Sequence, residues 1–331
     1  MPRKSLNRSL HAARASKQDE FYTQLSDIEK ELVHYKRHFK NKTVLCNCDD
    51  PRVSNFFKYF LNNFEVLHLR KLLTTCYQND KPDLFSQHKS PRGIYFAYSG
   101  EQKVRRLPDP AKITPRELSH DGDFRSEECC NLLKQADIVV TNPPFSLFRE
   151  YVTQLVESNK RFLCIGNHNA LTYKEIFTLI RDDKIWLGYS HPVAFMVPAH
   201  YEMREVRSWK DDQGNNWRSL GNACWFTNLD IAKRHEDLPL FKKFDRKLYP
   251  QYDNYDAVEV GKVADIPDDY SGVMGVPVTF LEKHNPAQFE IVGLIAGNIR
   301  GLAGIPSSTG KDGPYINGKL KYGRILIRRK R

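Results

Sequence analysis

An apolar run that ends in two consecutive prolines constrains the fold of this chain more than any other feature. Residues 137–141 read DIVVT, which predicts a buried strand, and the letters NPPF follow directly at 142–145. Neither proline can donate a ladder hydrogen bond, so the strand must stop there and the chain is held stiffly. Apolar residues then return at helical spacing from Leu147, which predicts a strand–corner–helix unit.

Strands and helices alternate around this unit. We predict further strands at 42–47, 69–77, 161–166, 184–189 and 223–228, and helices at 18–40, 55–64, 126–135 and 173–181. This alternation is typical of an α/β protein with a doubly wound, Rossmann-like sheet, in which ligands bind beyond the carboxyl ends of the strands. Residues 78–115 are expected to form a loop-rich insertion, and the alternation stops near residue 230.

Three regions follow from this organisation. Residues 1–40 form a basic N-terminal arm and a helix, residues 41–230 form the main α/β domain, and residues 231–331 form a smaller region with a final strand at 324–327. The first seventeen residues read as a flexible arm, although a basic segment without acidic residues also fits a mitochondrial targeting peptide.

The charge of the chain points to a polyanionic partner. The net charge is +11 and the isoelectric point is about 9.2, with basic residues concentrated near both ends. No apolar stretch approaches the roughly 20 residues of a membrane helix, so no membrane partner is expected. The seven cysteines lack zinc-site spacing, which predicts reduced thiols, no metal and a cytoplasmic location.

The NPPF corner has the groups that activate an aromatic amine. The lone pair of an adenine amine is delocalised into the ring, and two acceptors aimed at its hydrogens would release that lone pair for attack. The side-chain oxygen of Asn142 and the carbonyl of Pro143 are such acceptors, and the Pro143-Pro144 unit keeps them rigid. Phe145 offers a face on which a base flipped out of a duplex can stack. Pro-Pro is also simply a good strand stop.

Several blocks along the chain together resemble the EcoRI-type DNA adenine-N6 methyltransferases. The blocks are DEFYTQ (19–24), CNCDDPRVSNFFKYF (46–60), DGDFRS (121–126), DIVVTNPPFSLFREY (137–151), YDNYDA, DIPDDYSGVMGVP and RILI. The resemblance implies a Rossmann-like fold, S-adenosylmethionine as cofactor and a flipped adenine in duplex DNA as substrate. It implies that residues 41–230 bind the cofactor, that residues 231–331 recognise the target, and that GAATTC or a related site is read.

The resemblance also assigns cofactor-binding residues. Phe21, Tyr22 and Thr23 would touch the methionine end, where an aromatic ring attracts the sulfonium. Asp49 and Asp50 would lie in the cofactor loop, Asp123 would accept from the cofactor's adenine, and Phe124 would stack beside it. Five of these seven residues have an ordinary alternative: core packing for Phe21 and Tyr22, a charge pair at a helix start for Asp49 and Asp50, and a simple turn for Asp123.

Two features of the chain depart from the common methyltransferase pattern. The loop after the first strand of the main domain contains no glycine, and the second strand ends without the acid that usually binds ribose. Residues after about 190 are expected to contact DNA. Phe195 is a candidate second stacking ring, with core packing as the alternative. The polar stretch 201–218 supplies candidate DNA-binding residues, with a solvated loop as the alternative: Arg204, Arg207, Lys210, Asn215, Asn216 and Arg218.

The favoured prediction is therefore a site-specific DNA adenine-N6 methyltransferase of the restriction–modification type, acting as a monomer. An RNA or protein amide methyltransferase remains an alternative, because the corner accepts other planar amines. A DNA-binding protein without chemistry is the second alternative, since the cofactor loop lacks its glycines.

Overall fold

The computed structural model describes residues 22–48, 50–78, 89–100, 109–197, 206–297 and 299–330. These residues form a mixed α/β protein with several sheets. The chain divides into two compact units. The first comprises Met1–His168 with Gly188–Leu229, and the second comprises Asn169–Leu187 with Asp230–Arg331. The basic arm, residues 1–17, lies outside the described residues.

The strands are short in most of the chain. In chain order they are β1 Tyr22–Thr23, β2 Thr43–Cys46, β3 Lys71–Cys76, β4 Ile94–Tyr98, β5 Arg116–Glu117, β6 Ile138–Thr141, β7 Arg161–Asn167, β8 Trp186–Leu187, β9 Phe195–Val197, β10 Ser208–Lys210, β11 Asn216–Arg218, β12 Ala223–Thr227, β13 Val258–Glu259, β14 Met274–Val276, β15 Phe289–Ile295, β16 Tyr315–Ile316, β17 Lys319–Leu320 and β18 Arg324–Arg329.

The α-helices belong to the first two-thirds of the chain. They are α1 Leu25–Leu32, α2 Lys36–Phe39, α3 Asn55–Asn62, α4 Glu127–Gln135, α5 Phe148–Glu157 and α6 Lys174–Arg181. Short 3₁₀ helices lie at Val33–Tyr35, Pro110–Lys112, Phe145–Leu147, His168–Thr172, Ala232–His235, Val263–Asp265 and Val278–Lys283.

The main sheet of the first unit has four parallel strands at its centre. Their order is β3-β2-β6-β7, so the first of them in the chain, β2, lies between the second and the third. Strands β4 and β5 extend the β3 side in antiparallel fashion, and β12 extends the β7 side. The central strands are buried on both faces: Val44, Leu45 and Val140 have no exposed surface. Near-continuous apolar runs are what such strands require.

A second sheet in the first unit joins segments that are remote in sequence. Its order is β1-β9-β11-β10, with every pair antiparallel. The second unit contains the sheet β13-β14-β18-β15 and the separate hairpin β16–β17. The final strand predicted at 324–327 is therefore present and continues to Arg329.

Two local predictions were wrong. The helix predicted over 18–40 begins only at Leu25, because Tyr22 and Thr23 pair with β9 as a strand. The insertion predicted to be loop-rich contains β4, a five-residue strand paired along its whole length with β3. The pattern of β4, IYFAY, is half-exposed and follows a glycine, so its partner strand decides its structure more than its own sequence.

Candidate active site

The carboxyl ends of β2, β3 and β6 are tied together by buried polar side chains. Asn47 follows β2, and its side-chain oxygen accepts a hydrogen bond from the Thr75 hydroxyl of β3 at 3.2 Å. The Thr141 hydroxyl of β6 donates to the main-chain carbonyl of Asn47. All three side chains are nearly inaccessible, so the bonds fix the edge of the sheet from which the NPPF corner projects.

The NPPF corner is anchored on both sides. Before it, Thr141 is fully buried, and after it the carbonyl of Pro144 accepts from the Leu147 amide at 2.9 Å to start a 3₁₀ turn. The helix α5 then begins at Phe148, whose ring packs against Phe226. Gly166 allows this approach, since a Cβ there would lie 2.5 Å from the Phe148 ring.

Within the corner, Pro143 is buried, while Asn142, Pro144 and Phe145 are half-buried. The amide nitrogen of Asn142 donates to the Thr23 hydroxyl at 3.3 Å. With the side-chain nitrogen turned to Thr23, the side-chain oxygen lies on the other side of the amide. The oxygen is the predicted acceptor for the adenine amine. A residue 119 positions earlier in the chain thus orients the predicted catalytic group.

Thr23 and Tyr22 are held by the segment that follows β2. The side-chain nitrogen of Asn55 donates to the Thr23 carbonyl at 2.9 Å, and the Tyr22 hydroxyl donates to the Val53 carbonyl. Both were predicted to touch the cofactor. The structure places Tyr22 against the loop after β2 and Thr23 against both that loop and Asn142. No pattern in the sequence indicated the contact between Thr23 and Asn142. Phe21 lies outside the described residues.

Strand β1 also connects the corner to β9. Thr23 is the register partner of Phe195, so β9 lies next to the segment that orients Asn142. The Phe195 side chain has no exposed surface. In this conformation its ring presents no face on which a base could stack, which favours the core-packing alternative and leaves Phe145 as the accessible ring of the two.

The loop after β2 makes its turn without glycine. Cys48 adopts the left-handed conformation, with φ of +65°, which is the region that glycine would otherwise serve. The Asp50 carboxylate is fully buried and receives the Arg52 guanidinium in a two-point contact, with distances of 3.1 and 3.0 Å. The main-chain carbonyl of Asp50 also accepts a hydrogen bond from the Ser54 amide. Asp50, predicted to bind the cofactor, is thus bonded within its own loop, and Asp49 lies outside the described residues.

The DGDF turn lies across the end of β3, although it comes more than forty residues later in the sequence. The Gln78 amide donates to the Asp121 carbonyl at 2.7 Å, and a Cβ on Gly122 would lie 2.8 Å from the Cys76 carbonyl. Gly122 has φ of +82°, so glycine is required here for both its conformation and its size. The turn therefore brings Asp121 and Asp123 to the end of β3, the strand whose own sequence ends without the acid that usually binds ribose.

Asp123 repeats the arrangement seen at Asp50. Its carboxylate receives the Arg125 side chain at 2.9 and 2.7 Å, and Arg125 also reaches Glu150. The paired carboxylates raise the pKa of the Arg125 guanidinium. Phe124 is buried and packs edge-on against Tyr151, with 5.1 Å between ring centroids. Unlike Asp50, the Asp123 side chain is 24% exposed, which leaves it accessible to a ligand.

The stretch predicted to contact DNA contains the hairpin β10–β11, which is closed by Asp211. Its carboxylate accepts from the Trp217 indole (2.8 Å), the Asn215 side chain (2.9 Å) and the Asn215 amide (2.8 Å). These bonds, that of Trp217 first, lower the pKa of Asp211 to about 2. The side chain of Asn215, a predicted DNA contact, is thus used to build the turn.

The other predicted DNA contacts differ in exposure. Arg207 and Lys210 are exposed, whereas Asn216 and Arg218 are half-buried. Partial burial lowers the pKa of Arg218. Trp209, opposite Trp217 in the hairpin, is also exposed. Arg204 lies outside the described residues.

Helix α1 fixes the segment that leads into β9. Two of its carboxylates are buried and accept main-chain hydrogen bonds: Glu31 from Tyr189 (2.8 Å) and Ser190 (2.7 Å), and Asp27 from Val193 (2.9 Å). Removing either carboxylate would take away the acceptor of these main-chain N–H groups and release the segment from the helix. These acids were missed in the sequence because buried acids on a helix look like an exposed polar face.

Among the described residues, no group of three or more His, Cys, Asp or Glu side chains is arranged to hold a metal ion. In the same part of the chain, no helix is both long and apolar enough to cross a membrane.

Comparison with known proteins identifies the family. Residues 9–330 match the family described as "Adenine-specific methyltransferase EcoRI". The chain is 49% identical to the type II methyltransferase M.EcoRI of Escherichia coli, over 100% of this chain and 99% of the relative. It is 36% identical to M.MgeORF184P of Mycoplasma genitalium and 34% identical to M.MpnI of Mycoplasma pneumoniae, each over 96% of this chain and 97% of the relative. No solved structure matches the chain significantly. The chain belongs to the EcoRI family of adenine-specific methyltransferases.

Proposed function

We propose that this enzyme transfers a methyl group from S-adenosylmethionine to the N6 amine of an adenine flipped out of duplex DNA. It acts as a monomer and as the modification enzyme of a restriction–modification system. The observation that carries the proposal is the Asn142 amide, which stands at the carboxyl end of β6 and is oriented by Thr23. Family membership supports the same chemistry.

The corner activates the amine by orientation. Asn142 Oδ1 and the Pro143 carbonyl accept the hydrogens of N6, which draws the nitrogen toward a tetrahedral shape and frees its lone pair. Bound S-adenosylmethionine would supply an electrophilic methyl group to this lone pair, with a neutral thioether as the leaving group. The new methylammonium then loses a proton to water, so no general base is needed. Phe145, half-exposed beside Asn142, holds the flipped ring by stacking.

The residues around the corner fit S-adenosylmethionine, which supplies an electrophilic methyl group when it is bound. Its ribose hydroxyls and adenine amine need acceptors, and Asp121 and Asp123 provide carboxylates at the end of β3. Its sulfonium needs an electron-rich neighbour, and Tyr22 lies on the strand that holds the corner. The Asp50 carboxylate is bonded to Arg52 within the loop, so Asp50 would support cofactor binding by holding the loop backbone in shape.

The strand order supports the doubly wound, Rossmann-like arrangement that we propose for the first unit. The first parallel strand, β2, has its neighbours on opposite sides, β3 and β6, and in such sheets ligands bind where the order reverses. The corner after β6 and the loop after β2 flank that point. For target recognition we propose the β10–β11 hairpin, with Arg207, Lys210 and Arg218 as DNA contacts, and the second unit.

The proposal is tested in a host that lacks its own adenine methyltransferases. Plasmid DNA from cells that express the protein is sequenced by a method that detects N6-methyladenine directly. We expect methylated adenines at one recurring site, which would also reveal the recognition sequence. Unmodified DNA in the presence of soluble, folded enzyme would overturn the proposal. Labelling of RNA or protein by the purified enzyme would then favour the alternative amide substrate.

A further inference from the structure

The basic residues near the C-terminus look alike in the sequence but differ in the structure. Arg324 is largely buried and bonded to Glu259, with 3.0 Å between Nε and Oε1. Arg328 lies 3.3 Å from Glu290, and the Lys330 ammonium donates to a main-chain carbonyl at 2.9 Å. These three cations are used within the second unit, so they explain little of the attraction to a polyanion.

Two other cations in this region are available. Lys319 and Lys321 lie on and directly after β17, and both are exposed. Within the part of the chain that the structure describes, neither has an ion pair or a hydrogen bond from its ammonium group. The next residue, Tyr322, is 87% exposed. Among the described residues, the fold therefore makes no use of these two ammonium groups, and both are available to a partner.

The hairpin that carries these lysines is held in a fixed shape. Asn317 and Gly318 form a two-residue turn with positive φ at both positions, +51° and +73°, which is the type that suits tightly paired strands. Both amides of the turn donate to the Asp253 carboxylate, at 3.1 and 2.7 Å. The two turn amides are therefore already used and cannot donate to a ligand, so the lysines that follow the turn are the donors available for binding.

The base of the hairpin is equally constrained. Asn254 is buried, and its side chain donates to the carbonyls of Lys311 (3.0 Å) and Gly313 (2.9 Å) and accepts from the Tyr315 amide (3.2 Å). Leu320, between the two lysines, lies over two glycines, where any Cβ would come within 3 Å of it. Asp253 and Asn254 belong to the YDNYDA block, so this block has the role of a clamp on the hairpin.

We propose that this hairpin is an anchor for the DNA backbone: Lys319 and Lys321 bind phosphates, and Tyr322 lies against the adjoining sugar. The inference rests on the proposed function, which supplies DNA as the partner. Ammonium groups act as point charges that suit phosphates, whereas sequence is read by side chains with paired donors and acceptors. A rigid hairpin loses little conformational freedom on binding, which favours affinity. The hairpin therefore contributes affinity without sequence selectivity.

The test compares the full-length enzyme with the double variant Lys319→Gln/Lys321→Gln. Binding to a duplex that contains the recognition site is measured over a range of salt concentrations, alongside a duplex without the site. We expect the slope of log K against log salt to fall in magnitude by about 1.8, about 0.9 for each lost phosphate contact. Affinity should fall equally for both duplexes. The matched control, Lys262→Gln/Lys283→Gln, removes the same charge from two exposed positions of the second unit and should leave the slope unchanged.

A variant of the clamp separates charge from rigidity. Asp253→Ala frees the turn but keeps both lysines, so we expect weaker binding with an unchanged salt slope. An unchanged slope and affinity in the double lysine variant, with wild-type enzyme that still methylates DNA, would overturn the anchor and leave the proposed function intact. A loss of site preference with no change in slope would also overturn it, because the lysines would then be reading bases. Wild-type enzyme that neither binds nor methylates DNA would overturn both proposals.

Discussion

The NPPF corner and the β16–β17 hairpin are two tight turns that are built alike and present different chemistry. Each is fixed by a residue far away in the sequence: Thr23 bonds to Asn142 across 119 positions, and Asp253 bonds to the hairpin turn across 64 and 65. The corner presents a half-buried amide and an aromatic ring. The hairpin presents exposed ammonium groups.

This difference separates two contributions to catalysis on DNA, the rate of the chemical step and the affinity for the polymer. A group that acts only when charge moves changes kcat, whereas a group that binds substrate and transition state equally changes affinity. Substitutions in the corner should therefore lower the rate and leave salt-dependent DNA binding intact. Substitutions in the hairpin should do the reverse.

The largest effect is expected for Asn142→Ala. Loss of an acceptor aimed at the developing charge should lower kcat by about 10²–10³-fold. The affinity for S-adenosylmethionine, measured by calorimetry, should stay unchanged, as should the salt slope of DNA binding. An equal loss of cofactor affinity would contradict the assignment of Asn142 to the target amine.

Phe145→Ala tests capture of the flipped base. Loss of a stacking face costs about 1–3 kcal/mol per base, so the extrahelical base should be less populated. With 2-aminopurine at the target position, the fluorescence rise on binding should be smaller than with the wild-type enzyme. Phe195→Leu is the comparison, since that ring is buried and should leave the signal unchanged. A normal fluorescence rise with Phe145→Ala would contradict the assignment of this ring to stacking on the flipped base.

Thr23→Val tests the positioning of Asn142. The substitution removes the acceptor for the Asn142 nitrogen but keeps the shape, so the amide should lose its orientation. Loss of one hydrogen bond, about 0.5–1.5 kcal/mol, corresponds to a fall in kcat of up to about tenfold. Thr23→Ser keeps the hydroxyl and should restore the rate. If Ser and Val behave alike, the hydroxyl does not act through Asn142.

The smallest effect concerns Asp211, whose pKa of about 2 is set by hydrogen bonds in the β10–β11 hairpin. A depressed carboxylate pKa stabilises the fold above the unfolded-state value near 3.9, and this contribution is lost as the pH falls toward 2. In Asp211→Asn this part of the pH dependence should vanish. The thermal midpoint, followed by tryptophan fluorescence, should then fall less between pH 5 and pH 3 than in the wild-type enzyme.

The β10–β11 hairpin is thus stabilised by Asp211, an acid of its own turn. The β16–β17 hairpin is stabilised by Asp253, an acid remote in sequence. If Asp211→Asn altered the salt slope of DNA binding as strongly as the double lysine variant, the division between local shape and backbone anchoring would fail.

Local patterns in the sequence determined much of this protein. The buried runs of β2, β3, β6 and β7 and the helices after them were predicted because apolar periodicity and strand stops act over a few residues. The NPPF corner was recognisable for the same reason: two prolines fix their own backbone. Several blocks in their order identified the family.

The tertiary structure alone decided how remote segments complete the sites. Pairing with β9 makes Tyr22 and Thr23 a strand, and Thr23 thereby reaches Asn142. The DGDF turn supplies its acids at the end of a strand that had none, because a main-chain bond from Gln78, two residues after β3, ties the turn there. The strand pairing and the turn contact are main-chain hydrogen bonds between segments remote in sequence, so no local pattern announces which segments will meet. The C-terminal cations show the same limit, since only their neighbours in space decide whether a charge is paired within the fold or available to DNA.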